Sequence, residues 1–331
     1  MTTSQQKTIE TYQRLAQANA MIQTYRLARK LGIFKQLQEG QKTGPQIAAA
    51  LNLAERPTGL LMDQLAETGF IEKYGQDYAL SVLGKMLPAE LGDLGDRYWC
   101  QLEDWVRYGN RIEVANASVD ETDFGVESLA FEWMETPNAL ELIEILNIGQ
   151  GRSGLRVVEL ACGSGVFSSA MAYHDPQMKV CLVDQGHNLA AAKKTTVSIG
   201  VDSRFQFVDA DPTVFRSNFK ADLVLITNRM CRFDQTGLEK LFRNVCDLLH
   251  PEGEVVVVDE FCESSEAMLS HRINAILAEL RTPQGQGWSR KALTEILYEC
   301  GFADALYSDL KSPPSTKGVL VAGVKSKTRD R

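Results

Sequence analysis

The chain has 331 residues, 44% hydrophobic and 24% charged, with a formal net charge of −8. That length accommodates two core-bearing units of ordinary globular composition, and the acidic balance argues against a nucleic-acid partner, whose phosphates call for a basic face. No apolar run reaches the ~18 residues of a membrane span, and the polar opening MTTSQQKTIETYQR lacks a signal-peptide core, so a cytoplasmic protein without a membrane partner is expected. Seven cysteines are scattered without CxxC spacing, and Cys181, Cys246 and Cys300 fall in apolar segments. They read as reduced core residues, with no disulfide framework and no metal site.

Residues 1–97 read as a helical unit ending in a hairpin. Leu27, Ala28, Leu31 and Phe34 share one face at helical spacing, with Gly32 placed to end or kink the first long helix. In KTGPQIAAALNL, Thr43 can cap a helix, Gln46 can close a capping box and Pro45 sits in the first turn. A further helix is predicted from about Arg56 to Gly69, and FIEKYGQDYALS turns at Gly75–Asp77. Helix, turn, helix and hairpin make a winged helix. The helix that would enter a DNA groove carries Asp63 and Glu67 against Arg56 alone, which disfavours that use.

Residues 98–150 are again helical and rich in large flat side chains: Trp99, Trp105, Tyr108, Phe131 and Trp133. Core or interdomain packing accounts for any one of them. The acidic, aperiodic stretch ASVDETDFGVES reads as a surface loop.

Residues 151–331 open with VVELACGSG, a buried strand running through Glu159 into a small-residue turn at Ala161, Gly163 and Gly165, with a new helix behind it. Such a junction lets backbone approach a ligand and aims helix N-terminal amides at it. A second apolar run, KVCLVD, ends in Asp184 about 25 residues after Glu159, close to where an acid meets a ribose in nucleoside-binding folds. A third, FQFVDADP, ends in Asp209 and Asp211.

This series resembles the class I S-adenosylmethionine-dependent methyltransferases. FKADLVLITNRMCRFD, LLHPEGEVVVVDEF, WSRKALTEILYECGF and GVLVAGV extend the likeness to the small-molecule O-methyltransferases, a group spanning plant caffeate-type and bacterial antibiotic-tailoring enzymes. The resemblance implies an α/β fold: a Rossmann-like domain with a mostly parallel seven-stranded sheet, preceded by a winged-helix domain that pairs two chains into a homodimer. It implies S-adenosylmethionine as cofactor and S-adenosylhomocysteine as product. Glu159 and the Ala161–Gly165 turn would surround the methionine moiety, Asp184 and Gln185 the ribose, Asp211 and Pro212 the adenine, with Asn228 completing the cofactor set. The 98–150 segment would roof the acceptor pocket, with Trp105, Trp133 and, further on, His271 facing an aromatic or polyketide-like small molecule.

At the catalytic turn the family pattern RNVLHDWD meets TNRMCRFD here. Asn228, Phe233 and Asp234 keep the register, but Cys231 stands at the histidine and Arg232 follows it. Asp259 matches one supporting carboxylate, while Gly287, Trp288 and Ser289 replace an ERT-type triplet that carries the other. A cysteine acts as base only if its pKa of about 8.5 is depressed, for which Arg232 is the available cause; the plainer reading makes Cys231 a space-filler. The expectation is methyl transfer, O-methylation favoured, carried by alignment with little general-base help. Same-fold chemistry without methylation, such as decarboxylation, hydroxylation or rearrangement, is the alternative, and a ligand-sensing regulator stands behind both.

Overall fold

In the computed structural model, residues 3–87, 94–109, 121–218, 220–262, 269–281, 286–312 and 317–325 are described. The trace divides into two compact units, Met1–Gly92 and Asp93–Arg331.

In the first unit, α1 (Ser4–Leu31) stops at Gly32, whose left-handed backbone (φ 82°) caps the helix, and α2 (Ile33–Gln38) resumes at once. Ala28 is fully buried, whereas Leu27 turns to solvent, because adjacent helical residues lie about 100° apart. A short strand β1 (Lys42–Thr43) leads into α3 (Gly44–Ala50), where Thr43 and Gln46 form the reciprocal capping box. Helix α4 (Glu55–Glu67), β2 (Ile71–Tyr74), β3 (Asp77–Leu80) and α5 (Val82–Met86) complete the unit, its strands ordered β1-β3-β2. Tyr25, Ile33, Ile47, Met62, Leu65 and Ile71 form its core. The acid Asp63 of α4 is engaged by the wing itself, accepting from Lys73 at 2.5 Å and Tyr78 at 2.6 Å.

The second unit starts with α6 (Asp96–Trp99), α7 (Leu102–Tyr108) and α8 (Glu121–Leu146). The surface loop expected over 117–128 is corrected here. From Glu121 onward the backbone is helical, and residues 117–120 lie outside the described residues. Charge-rich, aperiodic sequence hid a helix whose first turns show no amphipathic stripe.

Then follow β4 (Arg156–Leu160), α9 (Val166–His174), β5 (Lys179–Asp184), α10 (Gly186–Ile199), β6 (Phe205–Asp209), β7 (Ala221–Thr227), α11 (Gln235–Leu248) and β8 (Leu249–Glu260). The unit closes with α12 (Leu269–Arg281), α13 (Arg290–Glu299), β9 (Phe302–Asp309) and β10 (Lys317–Val324). Its seven strands run β6-β5-β4-β7-β8-β10-β9, with β10 antiparallel to both neighbours and the β4, β5, β6, β7 and β8 pairings parallel. Near-continuous Val and Leu runs in β4, β7 and β8 suit strands covered on both faces. The parallel strands therefore end in one layer, and the order reverses at β4, where α/β sheets bind ligands. Among the described residues, no helix is long and apolar enough to cross a membrane, and no cluster of His, Cys, Asp and Glu is disposed to hold a metal.

Candidate active site

The turn after β4 is made by three residues with left-handed backbone: Ala161 (φ 55°), Gly163 (φ 57°) and Gly165 (φ 65°). Gly165 has a second reason to lack a side chain, since a Cβ would stand 3.0 Å from Leu182. Ala161 adopts this conformation without glycine's freedom, a strain that its 2.8 Å bond to the Val183 carbonyl helps to hold.

Glu159 was expected beside the methionine moiety, but it is 0% exposed. Its oxygens accept from the Ser168 hydroxyl and, at 3.4 Å, from Thr227. The carboxyl braces the turn from inside the core, and burial pushes its pKa to about 7 against the lowering effect of the Ser168 bond.

Asp184, at the end of β5, is the hub. Its Oδ2 accepts the Gly163 N–H at 2.9 Å, and its Oδ1 accepts the Gln185 N–H at 2.8 Å and Asn188 Nδ2 at 2.9 Å. Arg229 Nη2 lies 3.7 Å from Oδ2, and both side chains are largely buried (16% and 6% exposed). Arg229 also donates its Nε–H to the Ala161 carbonyl at 3.2 Å. One carboxylate thus ties the glycine turn, the start of α10 and the end of β7 together. Sequence reasoning passed over Asn188 and Arg229; the arginine in the valine position of RNVLHDWD was the available signal. Gln185 contributes its backbone and leaves its side chain exposed. Asp211 is exposed and closes a local turn on Thr213 through bonds of 2.8 and 2.7 Å, with Pro212 half-buried beside it.

Asn228 is also left-handed (φ 55°), and its N–H bonds the Val258 carbonyl at 2.9 Å. Its Oδ1 is buried with no hydrogen-bond partner among the described residues, a state that costs free energy unless a ligand donor reaches it. A turn of left-handed residues, an acid at the next strand end and this unsatisfied oxygen suit a nucleoside-linked amino acid bearing an ammonium group.

On the acceptor side, a 3-10 turn, Met230–Arg232, carries Cys231, which is partly accessible. Asp259 is buried; its Oδ2 accepts the Met230 N–H and its Oδ1 the Glu260 N–H, each at 2.8 Å. Burial raises its pKa and those two bonds lower it, leaving a net upward shift. It holds the turn's backbone, so its part is positioning. Trp288 donates Nε1–H to the Phe233 carbonyl at 3.2 Å, and its own carbonyl accepts the Cys262 N–H at 2.8 Å. Ser289 caps α13. The triplet that lacks the glutamate is therefore structural here. Helix α12 packs against both the 3-10 turn and α6.

Trp105 is half-buried on α7. Trp133 is 63% exposed on α8. The α8 face that is buried instead carries Ala139, Leu142 and Ile143, packed toward α9. His271 falls on α12, but its side chain lies outside the described residues.

Fold and site together define a class I methyltransferase: a parallel sheet in this order, a glycine turn after its switch-point strand and an acid closing the neighbour. The chain belongs to the O-methyltransferase family, whose domain matches residues 99–303. It is 24% identical over 326 residues to the 3-hydroxy-5-methyl-1-naphthoate 3-O-methyltransferase of Streptomyces sahachiroi, covering 92% of each chain. A match to ribosomal RNA large subunit methyltransferase G of Streptomyces avermitilis, 28% identical, spans 107 residues, 31% of this chain and 28% of that protein. Human N-acetylserotonin methyltransferase, solved in complex with S-adenosylmethionine, superposes with a TM-score of 0.77 at 16% identity, over 98% of this chain and 100% of that one. The protein is an S-adenosylmethionine-dependent methyltransferase.

Proposed function

We propose that the acceptor is a small aromatic or polyketide-like hydroxyl compound, methylated on oxygen by alignment with little general-base help. The observation that carries this is the turn Met230–Arg232. Its backbone is held by Asp259, yet it presents Cys231 where the family resemblance gives histidine. The bound cofactor supplies an electrophilic methyl group on sulfonium sulfur. Asp184 would accept from its ribose, the Ala161–Gly165 turn and Asn228 would meet its amino-acid end, and Asp211 with Pro212 would border its adenine. Alignment of this kind is worth ~7 kcal/mol or more, which leaves modest work for a base. The naphthoate-methylating relative supports an aromatic acceptor.

Incubation with methyl-labelled cofactor and a panel of hydroxylated aromatic metabolites tests this: label on oxygen, with stoichiometric S-adenosylhomocysteine, is the expected result. The missing histidine also favours a second reading, chemistry without methylation. That reading wins if S-adenosylhomocysteine supports conversion of a metabolite as well as the methyl donor does.

The winged unit pairs two chains in this proposal. Residues 4–21 of α1 are exposed throughout, including Ile9, Tyr12 and Leu15. A helical stretch with no cover from its own unit is marginal in water and gains stability from a second copy. Light scattering at micromolar concentration should report a dimer, and a monodisperse monomer would refute this. The regulator reading loses ground because Asp63 is already tied to the wing.

A further inference from the structure

Two arginines flank Cys231 where the pattern RNVLHDWD has valine and aspartate. They are differently employed. Arg229 is committed to Asp184 and the Ala161 carbonyl. Arg232 makes no side-chain hydrogen bond or ion pair with any described residue. Its surface is open to water, yet enough protein surrounds it that desolvation first, and the charge of Arg229 second, bring its pKa down to about 10. Arg232 closes the turn that follows β7, on the edge of the sheet where Asp184 ends β5. The charges of Cys231 beside it, of Asp184 and of Tyr98 of α6 bear on it as well. Helix α12 packs on both α6 and the turn. The turn that carries the guanidinium is thus the one that presents Cys231 and that α12 packs against.

We propose that the reacting oxygen of the acceptor arrives ionised, as an acidic phenol or enol, and that Arg232 holds its negative charge. This rests on the methyltransferase reading and specifies its substrate class. A cation within about 4–6 Å lowers the pKa of an acid by about 1–3, enough to keep an acidic hydroxyl deprotonated at neutral pH. The step balances without a base: the oxyanion's electron pair forms the O–C bond, the C–S bond breaks, and its pair stays on sulfur as a neutral thioether. No proton moves. The charge that histidine chemistry would generate during reaction is instead present from the start, and Arg232 supplies its counter-ion.

Cys231 is a built-in reporter of this field. In the S-adenosylhomocysteine complex, its alkylation by iodoacetate and by iodoacetamide is followed by mass spectrometry of its peptide, with glutathione as reference. Changes in thiol ionisation affect both reagents equally, so their ratio isolates the pocket's preference for anions. The ratio should exceed the glutathione value at least tenfold, fall most of the way to it in Arg232→Gln, and persist in Arg232→Lys. A ratio equal to that of glutathione, a ratio unmoved by Arg232→Gln, or a thiol that neither reagent reaches overturns the proposal. Calorimetry of S-adenosylhomocysteine on the same proteins separates the two levels. No binding sinks the methyltransferase reading itself, whereas binding with a neutral ratio sinks the anionic acceptor alone.

Discussion

The strand ends of β4 and β5 and those of β7 and β8 lie along one edge of the sheet, but they are finished in opposite ways. On the first pair nearly every polar atom has a partner: Glu159 with Ser168 and Thr227, and Asp184 with Gly163, Gln185 and Asn188. On the second pair the scaffold is bonded as firmly, through Asp259 and Trp288, while the Arg232 guanidinium that the turn presents makes no side-chain hydrogen bond among the described residues. A site that recognises one invariant ligand can afford to be closed by its own hydrogen bonds. A site that discriminates among acceptors keeps its polar groups for the guest.

The comparison is tested most heavily at Glu159. With a folded pKa of about 7 against an ordinary value of 4.5, its unfolded form ionises first as pH rises. The contribution of this one group to stability is therefore greatest below about 4.5 and falls through the interval to about 7, by on the order of 3 kcal/mol. Urea unfolding of the cofactor-free protein at pH 5 and pH 8 should show this loss, and Glu159→Gln should remove most of it. Equal pH slopes would mean that Glu159 is not held neutral.

Gly165→Ala follows, at a cost of about 2 kcal/mol, because a Cβ meets Leu182 at 3.0 Å and the backbone is left-handed. A variant as stable as the parent would show that the turn relaxes. Asp184→Ala should weaken S-adenosylhomocysteine at least tenfold by calorimetry, since charge-assisted bonds to the ribose and the tie to Gly163 go together. Unaltered affinity would move the ribose elsewhere. The smallest effect belongs to the acceptor side: Cys231→Ala and Cys231→Ser should keep turnover within about tenfold, whereas loss of a true base costs 10² or more. Collapse of turnover in both, with cofactor affinity intact, would make the thiolate the base.

The same asymmetry explains what the amino-acid order disclosed. Glycines at 163 and 165 and an acid at 184 are demanded by backbone conformation and close approach, so they leave a pattern that can be read directly. Thr43 with Gln46, and Gly32, were legible for the same reason: capping is local. Burial and pairing at a distance are not local. Nothing within VVELACGSG says that Glu159 faces Ser168 in the core, and nothing in TNRMCRFD says that Arg229 reaches back to Asp184. That Trp133 faces solvent while Ala139, Leu142 and Ile143 of the same helix are buried is likewise set by packing at a distance.

The bonds to Met230 from Asp259 and to Phe233 from Trp288 grip the chain on both sides of position 231 through backbone atoms alone. Residue 231 is thus a socket rather than a strut. The backbone at 231 is held by its neighbours, whatever side chain the position carries. Chemistry at this edge of the sheet evolves by substitution in place, while the framework that aims it stays still.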